Sequence, residues 1–512
     1  MASGCIERGR GAVALLFLLL AALTLRLVFF GGLLAEDDAL YWEAARGLRA
    51  GDYVRLPAYA TRHGVVVPLA LFQAWFGENE YAAALASLLY SLGELALAYG
   101  LGVLYGGRAV GLVAATLLAV LPLDVIAATD VHRDLPLAAL LAAAFYAVKR
   151  GELASRRASL WFTLGGAALG LAYLTKEIAI VFAVAFAACH WRRARDWRGA
   201  GWFAAAFVAT LAGDAAWFGW VTGDPWFRYS PAVLSLYARE GRRLSVASFA
   251  WMLDYPSMLM NPLSGHFGYL AGIFYLVLGS VIWGRRDPAV REIAVWWLPP
   301  LIVLNFLPLD LTFTRPGAPH FPRYLHPLLV PFALTASLWV VRGLARRPLV
   351  RAAALAGFGG LACAGILLAH FDYRIWAAPA RQAAAFMARL PADAVVATDP
   401  TSTWLLQALA GDARERVVPF AAVDLAAPRR PTFVLRDPIL LFSDTGRPLE
   451  VPSAVASPPA SWEMIAQFPR PARPSLRATV LGWLGARPRA SRPSTADSVV
   501  LWKVAAPAGS RP

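Results

Sequence analysis

Apolar residues along this chain come in unbroken runs, not in the short alternation of a soluble surface. The runs lie near 11–30, 82–105, 110–128, 134–148, 159–175, 178–190, 200–221, 267–283, 293–308, 325–341 and 352–370. A helix needs roughly 20 mainly apolar residues to cross the ~30 Å hydrocarbon layer, where only helices and closed barrels satisfy their own backbone polar groups. The pattern predicts an all-α polytopic membrane bundle of about eleven transmembrane helices. The first run reads as a retained helix: it is long, Arg26 sits in its last third, and no small-residue cleavage site precedes Glu36-Asp37-Asp38.

Between the first two crossings, Leu40, Tyr41, Ala44, Ala45 and Leu48 fall on one face of a helical wheel, which predicts a helix lying in the outer interface. The stretch His63 to Phe76 is apolar but short for a crossing and reads as a second interfacial or re-entrant helix. After Phe371 the pattern changes to that of a small soluble α/β or α+β domain. Ala394–Thr398 reads as a strand, Asp399 as a helix cap with Pro400 at the first helical position, Thr401–Ala410 as a helix stopped by Gly411, and Pro431–Leu435 and Ser498–Val504 as strands. The expected division is thus a membrane module over 1–370 and a soluble domain over 371–512, with a Pro- and Arg-rich loop at 469–495.

Composition adds orientation. Of 512 residues 58% are hydrophobic and 16% charged, and the formal net charge is +15. That excess does not point to nucleic acid, because the basic residues are spread over loops without interleaved aromatics. With a cytoplasmic N-terminus, the short alternate loops hold Arg8 and Arg10, Arg108, Lys149 to Arg157, Arg192 to Arg198, Arg285 to Arg291 and Arg342 to Arg351. The longer loops near 31–81, 222–266 and 309–324 carry most of the acids, the asymmetry of the positive-inside rule, so the C-terminal domain is expected outside. Cys5, Cys189 and Cys363 form neither a disulfide framework nor a thiolate metal site, and there is no Gly-rich phosphate loop or His-Glu-x-x-His run.

The groups able to do chemistry gather on the outer side. Asp37 and Asp38 follow the first crossing, where a carboxylate can take a proton from a bound hydroxyl or simply favour a helix N-terminus. Asp124, Asp130 and Asp134 lie between two short crossings beside His132 and Arg133; Asp134 can cap the next helix, and Asp124, after Pro122, reads as plain loop. Lys176-Glu177 stands out because only three of the 48 basic residues are lysines. It lies nineteen residues after Arg157 and sixteen before Arg192, roughly 28 and 24 Å of helix, which puts it just below the outer surface. An ammonium there suits a lipid phosphate, and a plain Lys–Glu pair is the ordinary alternative. Arg315, His320, Arg323 and His326 crowd the outer end of a later crossing; Arg323 can grip a phosphate bidentately or, with Tyr324, anchor the interface.

Taken in order, these motifs resemble the GT-C superfamily of membrane glycosyltransferases, in the branch of polyprenyl- or dolichyl-phosphate-sugar transferases that includes protein O-mannosyltransferases and lipid A aminoarabinose transferases. The resemblance covers roughly residues 11–345. Asp37-Asp38-Ala39-Leu40-Tyr41, with Ala45 following, is similar to the family's Asp-Glu-x-x-Tyr signature, with Asp38 in place of the usual Glu. Val67-Pro68-Leu69 before Phe76-Gly77, Leu121-Pro122-Leu123 ahead of Asp134, Gly170 to Lys176, and Arg323-Tyr324 with Pro327 follow in family order. The resemblance implies Asp37 as catalytic base, Asp134 as second site acid, and Lys176 and Arg323 as donor-phosphate contacts.

The implied reaction is an inverting single displacement. A sugar moves from a polyprenyl phosphate to a hydroxyl of a lipid, glycan or protein acceptor at the extracytoplasmic face of the cell (inner) membrane. No cofactor is required, and a divalent cation near Asp37 and Asp134 is compatible with the wider superfamily. A secondary transporter is the main rival and a non-catalytic scaffold the second. The first would place its charges at the midplane, and the second leaves Asp37 and Lys176 without a task.

Overall fold

All eleven apolar runs fall on helices in the computed structural model, which describes residues 2–34, 37–154, 156–193, 197–235, 249–264, 266–308, 320–437, 452–469 and 498–504. In chain order the helices of the first half are α1 Ala2–Val28, α2 Asp37–Ala50, α3 Pro57–Ala60, α4 His63–Phe76, α5 Glu80–Gly106, α6 Arg108–Ala119, α7 Pro122–Ala127, α8 Asp134–Leu153, α9 Ala158–Thr175, α10 Ala179–Arg193 and α11 Trp197–Thr222. There follow α12 Asp254–Met260, α13 Ile273–Trp283, α14 Pro288–Phe306, α15 Leu329–Leu338, α16 Pro348–Met387 and α17 Pro400–Leu409. Among the described residues seven helical segments are long and apolar enough to cross a membrane: Gly11–Val28, Glu80–Gly106, Ala158–Thr175, Trp197–Thr222, Pro288–Phe306, Pro322–Gly343 and Pro348–Phe371. Three apolar helices, His63–Phe76, Arg108–Ala119 and Ile273–Trp283, are shorter. The chain is a multi-pass membrane protein.

Two runs expected as single crossings are broken. The run 110–128 divides into α6 and α7 because Pro122 has no N–H and starts a new helix at its first position. The run 267–283 breaks at Ala271 and Gly272, both left-handed (φ 48° and 66°). Lys149, expected in a cytoplasmic loop, is instead buried at the end of α8, 2.7 Å from Glu292 and 2.5 Å from Glu152. Between α8 and α14 the rings of Phe145 and Trp296 stack 4.1 Å apart inside the bundle core.

The C-terminal sheet has the order β2-β1-β3-β5-β4, with β1 Val395–Thr398, β2 Val417–Pro419, β3 Thr432–Arg436, β4 Glu463–Phe468 and β5 Val499–Lys503. β1 runs parallel to β2 and β3, while β5 is antiparallel to β3 and β4. The Asp399 carboxylate accepts the Ser402 N–H at 2.8 Å, capping α17 as expected, and Gly411 stops that region at φ 54°. The strands β2 and β4 were not anticipated, and most of the 469–495 loop lies outside the described residues.

α16 runs 40 residues without interruption from the last membrane segment into this sheet region, so the junction expected at 370 falls inside a continuous helix. One apolar core is shared by Tyr41 and Trp42 of α2, Leu69 of α4, Ala380 and Met387 of α16, Leu405 of α17 and Leu501 of β5. α2 is therefore buried on nearly every side, with Trp42 only 1% exposed, where one interfacial face was expected. The wheel shows which face is apolar; it does not show that the C-terminal sheet will cover the other.

Candidate active site at the mouth of the bundle

Three helix ends and one tight turn bring the predicted residues together. Asp37 is the first residue of α2, Asp134 the first of α8, and Lys176 follows the last residue of α9. Arg323 and Tyr324 sit in the tightly wound segment Pro322–Leu328, which Pro322 starts and which passes directly into α15. The Asp37 carboxylate takes Arg323 Nη1 at 3.2 Å on one oxygen and the Tyr59 hydroxyl at 3.2 Å on the other. Lys176 Nζ donates to Asp134 Oδ1 at 2.5 Å and lies 3.6 Å above the Tyr324 ring. Arg133 Nη1 reaches the Tyr41 hydroxyl at 3.5 Å, and the Tyr41 ring meets Tyr59 edge-on at 5.1 Å.

Asp37 and Asp38 face different partners, as the 100° step of a helix requires. Burial alone would raise the Asp37 carboxyl, but Arg323, with Arg133 and His132 behind it, outweighs burial and holds it at about 2. Asp38 accepts the Leu34 N–H at 2.9 Å and faces Asp130 and His132; burial and the neighbouring Asp130 push it well above the ordinary carboxylate range. Asp130, likewise buried, is raised to about 6 and lies 2.8 Å from His132 Nε2. Oδ1 of Asp38 and Oδ1 of Asp130 are buried without a hydrogen bond. Ligand atoms of Asp38, Asp130 and His132 lie within 4.8 Å of one another, a donor set that fits a divalent cation. The sequence allowed, without requiring, a divalent cation near Asp37 and Asp134. Those two carboxylates are instead engaged by Arg323 and Lys176.

Lys176 and Glu177 are not partners of each other. Glu177 pairs with Arg62 and, at 3.5 Å, with Arg228, whose guanidinium also holds Asp214 at 2.9 Å. His63 Nδ1 meets the same Asp214 at 2.6 Å. This second layer of charge backs the site from the start of α4 and from within α11, and the sequence reading missed it, although Asp214 inside an apolar run was a visible signal. His320 stands apart, held by Asp254 at 3.2 Å and stacked on Tyr255 at 4.4 Å. Asp124, expected in a loop, forms a fully buried ion pair with Arg26 at 3.0 Å. Arg315 lies outside the described residues.

The arrangement offers one carboxylate flanked by a tyrosine and several cations gathered at a helical mouth, which suits a phosphate-bearing substrate. Residues 65–220, spanning α5 to α10 and most of α4 and α11, match the family described as dolichyl-phosphate-mannose-protein mannosyltransferase. The whole fold is similar to that of ArnT from Cupriavidus metallidurans in the apo state, with a TM-score of 0.63 at 16% identity over 98% of this chain and 99% of that one. ArnT from the same organism bound to undecaprenyl phosphate matches with a TM-score of 0.61 at 16% identity over 99% of each chain. A sequence search of curated proteins finds no match. The chain thus shares its fold with ArnT and carries, over residues 65–220, a segment similar to the mannosyltransferase family.

Proposed function

We propose that this chain transfers a sugar from a polyprenyl-phosphate carrier to an acceptor hydroxyl at the extracytoplasmic face, by one inverting displacement. The observation that carries this reading is the meeting of Asp37 with Arg323 and of Asp134 with Lys176 at the ends of helices. The undecaprenyl phosphate bound by the similarly folded ArnT supports a lipid-phosphate donor.

In this mechanism the acceptor oxygen bonds to the anomeric carbon as its proton passes to Asp37. The bond from that carbon to the carrier oxygen breaks, and its electron pair leaves with the phosphate. Inversion follows because the two oxygens stand on opposite faces of the sugar. Without donor, each cation is occupied by a carboxylate. An arriving phosphate competes with Asp37 for Arg323 and with Asp134 for Lys176, so the leaving group is neutralised by groups already in place. The same exchange sharpens the base. Asp37 is weakly basic while Arg323 lies against it, and once the guanidinium turns to phosphate, burial raises its proton affinity. No nucleotide or organic cofactor enters. A divalent cation held by Asp38, Asp130 and His132 would add positive charge at the mouth.

The purified protein, given a polyprenyl-phosphate sugar labelled in the sugar together with an envelope extract, should release free polyprenyl phosphate in step with labelled acceptor. Carrier that stays intact across the common donor sugars would overturn the reading. The accompanying topology is eleven crossings with the N-terminus in the cytoplasm, and a division into a membrane module, 1–370, and an outer domain, 371–512. Reporter fusions after residues 60, 245 and 400 should then report outside, and those after 152, 195 and 346 inside. An inward signal at 400 would reverse the placement of the C-terminal domain.

A further inference from the structure

Below the mouth, inside the helix bundle, lies a second polar cluster that the transfer reaction does not use. Glu94 comes from α5, Asp124 from α7 and His326 from the segment Pro322–Leu328, and their side chains are 0%, 0% and 1% exposed. One ligand atom of each lies within 4.8 Å of the others. Burying such groups is costly unless every lone pair finds a partner. Here both carboxylate oxygens of Glu94, both ring nitrogens of His326 and Oδ2 of Asp124 have no hydrogen bond.

The spacing is informative. A charge-assisted hydrogen bond between an imidazole and a carboxylate closes to about 2.7–2.9 Å, yet His326 Nε2 stands 3.6 Å from Glu94 Oε2. Two ligands about 2.0–2.1 Å from a shared tetrahedral ion are themselves about 3.3 Å apart, so the gap is closer to the separation across a metal than to that of a hydrogen bond. Asp124 is already oriented for this task. Its Oδ1 is held by Arg26 Nη2 at 3.0 Å and by the Ser91 hydroxyl at 2.6 Å, which leaves Oδ2 as the oxygen without a bond. Fixing a ligating carboxylate through its other oxygen is what outer-shell partners do at metal sites.

We propose that Glu94, Asp124 and His326 form a buried site for a divalent transition cation, distinct from the Asp38, Asp130 and His132 group at the mouth. An imidazole among the donors favours a first-row transition ion such as zinc over magnesium or calcium, which prefer oxygen throughout. The ion ties together three elements that are far apart in sequence. His326 lies three residues from Arg323 in the same tight segment, so the cation also fixes the turn that presents Arg323 to Asp37. Its task is positioning, and it neither touches substrate nor takes part in the displacement.

The test uses metal content and metal spectroscopy on the full-length protein in detergent, with zinc as the probe. The mouth site is removed by His132→Ala, and metal is counted by mass spectrometry after dialysis against a chelator and again after reloading with zinc. The proposal expects one zinc per chain in the reloaded His132→Ala protein, an X-ray absorption spectrum with one nitrogen and two carboxylate donors near 2.0–2.1 Å, and a zinc-dependent rise of several degrees in Tm. Adding Glu94→Gln or His326→Ala should abolish both uptake and the rise. Should these doubly substituted chains fail to fold, the spectrum of the His132→Ala protein alone decides. No zinc uptake by folded His132→Ala protein, or a first shell without nitrogen, overturns the site and leaves a bare Glu94–His326 pair.

Discussion

Replacing Asp37 by asparagine is expected to lower transfer from a lipid-linked donor by ~10²–10⁴-fold, the usual loss when a positioned general base is removed. The amide keeps the shape, its one oxygen can still accept from Arg323, and its NH2 can donate to the Tyr59 hydroxyl oxygen, so the stability cost should stay near ~1 kcal/mol and the protein should purify normally. Asp38→Asn should retain measurable turnover, because Asp38 turns away from Arg323 to accept the Leu34 N–H. The pH profile adds a signature. With Asp37 held at about 2, it remains a carboxylate throughout the working range, and kcat/KM should show no acid limb from it above about pH 4. Removing the cation in Arg323→Ala leaves burial as the larger influence, so the limb should move upward in pH. Near-normal transfer by a folded Asp37→Asn protein would remove Asp37 from the mechanism.

The second large effect is expected at Lys176. A hydrogen bond to a charged group contributes about 1.5–3 kcal/mol, so Lys176→Ala should raise the apparent donor KM by about 10–150-fold, with a smaller change in acceptor KM. Donor titrations at saturating acceptor, and the reverse, separate the two. An unchanged donor KM in a folded variant would leave Lys176 with only Asp134 and the Tyr324 ring to serve.

How far these residues could be read from the chain depended on the range of their partners. Hydropathy found each of the seven long apolar helices among the described residues, because membrane solvation acts residue by residue. Asp37, Asp134, Lys176 and Arg323 could be picked out one at a time as charges at the ends of apolar runs, and family order grouped them. Pairing was another matter. Glu177 looked like the natural partner of Lys176, yet its partners are Arg62 and Arg228, and no local pattern encodes so distant a contact. Asp124 looked like loop because Arg26, ninety-eight residues earlier, is invisible to a window of twenty. β2 escaped notice because three residues carry too little periodicity, and β4 because Glu463 and Met464 leave an exposed start to the strand.

The core shared by α2 and the C-terminal sheet also sets an order of events in biogenesis. The helix that carries Asp37 is among the first parts of the chain to be made, but its covering includes Leu405 and Leu501, made hundreds of residues later. Until the end of the chain has been made, Trp42 and its neighbours are covered by α4 but lack the part of their core that α17 and the sheet supply. A nascent chain should therefore be inactive toward lipid-linked sugars, with its apolar face open to chaperones. Activity should begin only when the last strand docks.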